Sequence, residues 1–154
     1  MGELSREEIL NEAQRIARSQ FGGTLATIHA DDGTPYPAFV LFHLTPECEV
    51  LYGSAADSQH TRDTVATPEV AFLIDTRSVL ATDWPAFDRV IVEGRAERIP
   101  PEDERYAPSV EQLAAKNWLA GYFTQTGSLY RITPRRLTLV QGLGPERHTV
   151  DFAD

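Results

Sequence analysis

Residues 24–44, TLATIHADDGTPYPAFVLFHL, decide the fold. Leu25, Thr27 and Ile28 make the first half apolar or β-branched, and Ala38-Phe39-Val40-Leu41-Phe42 does the same for the second. Between them stands Asp31-Asp32-Gly33-Thr34, a strong hairpin turn in which glycine relieves the backbone. The reading is strand 24–30, turn, strand 36–44, antiparallel because the connection is tight. The unbroken apolar run predicts burial on both faces of the return strand. Pro35 and Pro37 place its start at an edge or a bulge, where a missing N–H costs least. After a turn at Thr45-Pro46-Glu47-Cys48, Val50-Leu51-Tyr52 adds a third strand and completes a meander.

Towards the N-terminus, Ser5-Arg6-Glu7-Glu8 has the form of a capping box. Ile9, Leu10, Ala13, Ile16 and Ala17 then recur at helical spacing. This predicts a helix over 5–20, stopped by Phe21-Gly22-Gly23. Towards the C-terminus, 58–67 reads as a short helix with Asp57 or Ser58 as N-cap and Pro68 beyond its end. Strands follow at 70–75 and 90–98, with a loop over 76–87. In the longer strand Val90, Val92, Gly94 and Ala96 share one face. A helical region after Pro101 is expected to break at Pro108 and restart at Ser109-Val110-Glu111-Gln112. Two further strands, 128–133 and 136–141, are separated by Thr133-Pro134-Arg135. The expected fold is mainly β (α+β): an antiparallel, closed or nearly closed barrel of about six to seven strands with an N-terminal helix and peripheral helices. One domain spans 1–154, with the barrel over about 23–145 and a short tail.

A chain of 154 residues with 42% hydrophobic and 24% charged residues is that of an ordinary globular protein. Its 23 acidic and 14 basic residues leave a net charge of −9, so nucleic acid and anionic membrane are not expected partners. No apolar N-terminal segment or long apolar window occurs, which predicts a cytoplasmic protein with no membrane span. A single cysteine, Cys48, excludes an internal disulfide and a cysteine-based zinc site. His29, His43, His60 and His148 are not at metal-ligand spacing, so no metal is expected. No motif for a nucleophile, a Walker loop or a dinucleotide fold is present.

One stretch departs from this picture: Gly53-Ser54-Ala55-Ala56-Asp57-Ser58-Gln59-His60-Thr61-Arg62. Small and hydroxyl residues end a strand, and His60, Thr61 and Arg62 open a helix. Free backbone N–H groups and the helix dipole favour an anion there. A guanidinium adds a bidentate pair. The stretch reads either as a phosphate site or as a solvated helix start in which Arg62 pairs with Asp63 or Glu69.

The order of short motifs resembles a known family. Gly23-Thr-Leu-Ala-Thr-Ile, Tyr36-Pro37-Ala38-Phe39-Val40, Leu51-Tyr52-Gly53-Ser54, His60-Thr61-Arg62, Pro68-Glu69-Val70-Ala71-Phe72 and Asp88-Arg89-Val90-Ile91-Val92-Glu93-Gly94 follow one another over residues 20–145. This is similar to the pyridoxamine 5′-phosphate oxidase-like, FMN-binding split-barrel family, and most of all to its haem-utilisation branch, where His-Thr-Arg commonly replaces a phosphate-binding lysine. The resemblance implies a homodimer with FMN at the subunit interface and an FMN-dependent oxidoreductase acting on a small molecule. Ser54, His60, Thr61 and Arg62 would hold the FMN phosphate. Ala38, Phe39, Val40 and Leu41 would run along the ring, and Arg89 would lie near the cofactor. Trp84 or Trp118 would cover the ring from the partner. No catalytic residue is assigned. The alternative is a flavin- or haem-binding carrier or sensor without turnover, and a deazaflavin would use the same helix start. Three departures stand out. Asp63 replaces the usual asparagine beside the phosphate site. The basic substrate-phosphate set of true pyridoxamine phosphate oxidases is not evident. The chain also stops soon after the barrel, without the extra domain of haem-degrading relatives, which argues against haem oxygenase activity.

Overall fold

The structure, a computed structural model, describes residues 2–153, side chains 123, 125 and 126 excepted. Helix α1 (Arg6–Arg18) starts where the capping box predicts: the Ser5 hydroxyl accepts from the Glu8 amide at 3.1 Å. Strands β1 (Gly22–Ile28) and β2 (Pro35–Leu44) form the predicted hairpin, with Gly33 in the left-handed region at φ +75°. Then come β3 (Val50–Ser54), α2 (Gln59–Ala66), β4 (Glu69–Asp75), β5 (Asp88–Ile99), α3 (Tyr106–Lys116), α4 (Trp118–Thr126), β6 (Ser128–Gln141) and β7 (His148–Asp151). Every strand pairing is antiparallel, in the order β3-β2-β1-β4-β5-β6-β7. A further pairing of β3 with β6 closes six strands into a barrel and leaves β7 as an addition to β6.

The alternation along each strand sets the interior. Leu25, Phe42, Val50, Phe72, Ile74, Val90, Val92, Leu137 and Leu139 point inward and are fully buried. Ile9, Ala13, Ile16 and Ala17 of α1 join the same core, so the helical spacing of these residues exists to bury them against the strands. A second, smaller core lies outside the barrel wall. Leu41 of β2, Ile99 of β5 and Leu129 of β6 meet Leu113 of α3 and Ala120 of α4 there. The outer face of β2 is therefore covered by helices at Leu41 and left open at Phe39.

Four expectations need correction. Phe39 is 73% exposed, so the apolar run of β2 is not buried on both faces along its whole length. Pro108 does not break the helix. It lies in the first turn of α3, where the N–H it lacks would have no partner, and Ser109-Gln112 continue the helix. The helix ends instead at Asn117, which caps α3 and then α4, its Oδ1 accepting from the Leu119 amide at 2.9 Å. The two strands around Pro134 are one strand, β6. A bulge shifts the register between Glu93 and Gly94 and places Gly94 opposite Pro134. The tail carries a seventh strand, β7, paired with 136–139 of β6. The expected count of strands stands only because one is lost and one gained. No helix of the described residues is long and apolar enough to cross a membrane.

Candidate cofactor site

The sequence stretch 53–62 spans the end of β3 and the start of α2. Ser58 is the N-cap: it has extended backbone, and its hydroxyl accepts from the Thr61 amide at 3.3 Å. The first intrahelical bond runs from the Arg62 amide to the Ser58 carbonyl at 3.2 Å, so the amides of Gln59 and His60 precede it. Ser54, at the last position of β3, meets this turn from the strand. Its Oγ lies 2.8 Å from His60 Nε2 and 3.2 Å from Ser58 Oγ, and it also contacts Thr61 Oγ1. Thr61 Oγ1 donates to the Ala55 carbonyl at 2.8 Å. Three hydroxyls and one imidazole nitrogen thus converge at one helix start. Burial holds the His60 imidazole below its ordinary pKa, with Asp63 opposing the shift, so the ring is neutral near pH 7 and serves as donor or acceptor to a hydroxyl.

Of these groups, Ser54 and His60 form the polar end of a cavity of about 340 Å³, and Ser58 and Thr61 stand behind them. Its walls are apolar: Phe39, Val40 and Leu41 from β2 on one side, Leu119 and Ala120 from α4 on the other. Gly53 forms part of the floor, and a side chain there would strike Thr124 of α4 at 2.6 Å, so glycine is what lets α4 approach the strand. The volume lies within the range of about 300–1,000 Å³ usual for ligand pockets. A flat apolar slot with an anion-favouring end suits a planar heterocycle that carries a phosphate.

Of the residues expected at the site, Phe39, Val40, Leu41, Ser54 and His60 line this cavity. Ala38 lies one residue further along β2, paired with Leu25. Thr61 is buried behind Ser54. Arg62 turns away to solvent, donating to the Asp57 carbonyl at 2.5 Å and to Gln59 Oε1 at 2.6 Å. Arg89 is on β5, three strands from β2 in the sheet, and donates to the Gly142 carbonyl at 3.0 Å. Asp63 is not beside the cluster as the sequence implies. It is fully buried and accepts from Thr27 Oγ1 at 2.8 Å, the Ala30 amide at 2.9 Å and Gln59 Nε2 at 2.7 Å. Burial alone would raise its pKa, but these donors together hold it below the usual carboxylate range. Its charge is met by these donors and also reaches His60, where it favours the protonated ring.

The sequence reading missed Leu119 and Ala120, which no motif marks, because only the break at Asn117 aims α4 across β3. It also missed the Ser58 hydroxyl as a member of the cluster. Trp118 is 75% exposed and Trp84 is 58% exposed, and neither lines the cavity in its own chain. Among the described residues, no group of three or more His, Cys, Asp or Glu is placed to hold a metal ion.

A family model described as pyridoxamine 5′-phosphate oxidase matches residues 9–141. The chain belongs to that family. The match covers the barrel, α2 and the whole of the cavity wall. Solved structures agree on the fold. A haem-binding protein from Mycobacterium smegmatis is 26% identical with a TM-score of 0.81, over 96% of this chain and 60% of that one. This family member therefore spans less than two thirds of that relative's length. The haem storage protein HutZ from Vibrio cholerae is 18% identical with a TM-score of 0.69, over 87% of this chain and 94% of that one. An FAD-binding protein from Mesorhizobium loti is 15% identical with a TM-score of 0.66, over 92% and 93% of the two chains. No curated protein matches the sequence significantly.

Proposed function

We propose that this split-barrel protein binds FMN in the cavity between β2, β3 and α4 and acts as a flavin-dependent oxidoreductase on a small molecule. The observation that carries the reading is the convergence of Ser54, Ser58 and His60 on the start of α2 at one end of an otherwise apolar slot. In this reading the two hydroxyls, the imidazole and the leading amides of α2 hold the phosphate, and Arg62 adds positive charge at the same turn. Phe39 and Leu41 face the ring and exclude water from it. A bound flavin supplies hydride and electron transfer, and the chain contributes binding, orientation and electrostatics.

The proposal includes a homodimer with the cofactor at the subunit interface. Exposed Phe39 and Trp118 flank the slot, and large apolar side chains left in solvent beside a cavity favour a second copy. Arg89 is too far around the sheet to serve the cavity of its own chain, so it would meet a cofactor only from the partner. The test is a titration with FMN followed by flavin fluorescence and visible absorbance, with the mass in solution measured in parallel. FMN binds, the mass is twice the 17.1 kDa of one chain, and Ser54→Val and His60→Leu each weaken binding about ten-fold or more. A protein that takes up no FMN refutes the assignment. Reduction of bound FMN by NAD(P)H, with reoxidation by an acceptor, distinguishes an enzyme from a carrier.

A second reading is haem binding without turnover. Its support is the likeness to the haem-binding protein from Mycobacterium smegmatis together with His60, whose imidazole lines the slot. Haem in place of FMN would give an intense Soret band that His60→Leu shifts or abolishes.

A further inference from the structure

Lys116 is the one lysine of the chain, and it stands where three elements meet. It is the last residue of α3. Its Nζ donates to the Ala17 carbonyl, at the end of α1, at 3.0 Å and lies 3.6 Å from the centre of the Phe42 ring of β2. Arginines such as Arg77 and Arg105 are locked onto carboxylates. The partners of Lys116 are instead a carbonyl and a phenyl ring, and no carboxylate of the described residues pairs with it. The titratable group that faces it is His43, also on β2. Burial and the Lys116 charge hold that imidazole below its ordinary pKa, and Gln112 of α3 hydrogen-bonds to it.

These surroundings favour the neutral amine. An uncharged N–H serves the Ala17 carbonyl as an ammonium does, whereas half-burial without a counter-ion penalises the charge. Burial accordingly lowers the Lys116 pKa to about 8. The side chain is only partly covered, so an amine with its lone pair available stands at the rim of the core.

We infer that Lys116 is an acylation site, modified by a small acyl phosphate and coupled through Asn117 to the cofactor cavity. Nζ attacks the carbonyl carbon of the acyl phosphate. A C–N bond forms, the C–O bond to the phosphate breaks, the phosphate leaves with the bonding pair, and the amine proton passes to water. The product is a neutral amide whose N–H can still donate to the Ala17 carbonyl. Its acyl group needs room between Phe42, Ala17 and α3, so the end of α3 must shift. Helix α4 shifts with it, because Asn117 ends α3 and caps α4. Leu119 and Ala120 of α4 are walls of the cavity. That the shift changes cofactor binding rests on the FMN assignment; the acylation itself does not.

Acetyl phosphate is the probe, incubated at pH 8 with the full chain, folded and in concentrated urea, with the rate of acetylation at Lys116 read by peptide mass spectrometry. At that pH roughly half of the folded-state amines are neutral, against well under about 1% of unfolded ones at an ordinary lysine pKa of about 10.4. Lys116 is acetylated about ten-fold or more faster in the folded protein than in urea, the reverse of what exposure alone would give. Full acetylation weakens FMN binding about three-fold or more, while Lys116→Arg, treated in the same way, binds FMN as the untreated wild type does. Equal or slower acetylation in the folded protein overturns the inference. Unchanged FMN affinity after full acetylation overturns the coupling to the cavity. Fast folded-state acetylation in a protein that takes up no FMN upholds the modification site and sinks only the flavin assignment.

Discussion

Asp63 follows Arg62 in the chain, and both side chains meet the amide of Gln59: Arg62 donates to Oε1 at 2.6 Å, and Nε2 donates to Asp63 at 2.7 Å. Read along the sequence, an aspartate beside a phosphate site is a liability. In the fold it is buried and takes three donors, two from the β1–β2 hairpin and one from Gln59 of α2. Asp63→Ala leaves those donors unsatisfied and should cost about 2–4 kcal/mol, read from urea unfolding midpoints. The pH dependence has a definite sign. The folded-state pKa is lowered, so the contribution is complete above the unfolded value of about 4 and is lost as pH falls through the folded one. The stability gap between wild type and Asp63→Asn should therefore narrow between pH 7 and pH 3. The meeting of Ser54 with His60 was legible because a strand end and the helix start that follows it are close in sequence. The donors of Asp63 were not, because Thr27 and Ala30 lie more than thirty residues away in the chain.

At the scale of elements, glycine positions divide into two kinds. Gly94 faces backbone at the β5–β6 bulge: an added Cβ would meet the Thr133 carbonyl oxygen at 2.1 Å. Gly22 faces the tip of the Phe39 ring, a movable side chain. Gly94→Ala should lower stability by several kcal/mol, on the order of the strain and overpacking terms, and reduce the melting temperature sharply. Gly22→Ala should leave stability nearly intact and alter ligand binding, since Phe39, a wall of the cavity, must move. Equal stability losses for the two substitutions would contradict this division. The helical pattern of α1 and the alternation of β5 were legible in the sequence, being periodic. The continuity of β6 was not. Pro134 is a strand breaker in isolation, and only the bulge in β6 itself, which leaves Arg135 without a partner on β5, accommodates it.

For the whole molecule, the one lysine acts as a clasp. The Lys116 ammonium lies 3.6 Å from the centre of the Phe42 ring and donates to the Ala17 carbonyl at 3.0 Å, tying the end of α3 to the end of α1. Burial lowers its pKa from 10.5 to about 8. A base whose folded-state pKa lies below its unfolded value binds fewer protons when folded, so stability rises with pH between the two values, about 8 to 10.5. Lys116→Met should remove that rise: wild type gains in urea midpoint from pH 7.5 to 9.5 relative to the variant. His43, also lowered by burial and by Lys116, completes the same titration at lower pH. The accessible surface, 8,519 Å², exceeds the roughly 7,700 Å² expected for a monomer of this mass.

By itself the sequence determined strands β1 to β5, the two capped helices and the polar cluster at 54–61, because each is written in neighbouring residues through periodicity, turn chemistry or capping. Tertiary structure alone decided the continuity of β6, the barrel's closure of β3 on β6 and the placing of α4 over β3. It also decided the donors that meet Asp63 and the meeting of β2 with α4 around the cavity. These depend on contacts between residues far apart in the chain, and such contacts follow from the packing of whole elements, to which no local pattern corresponds.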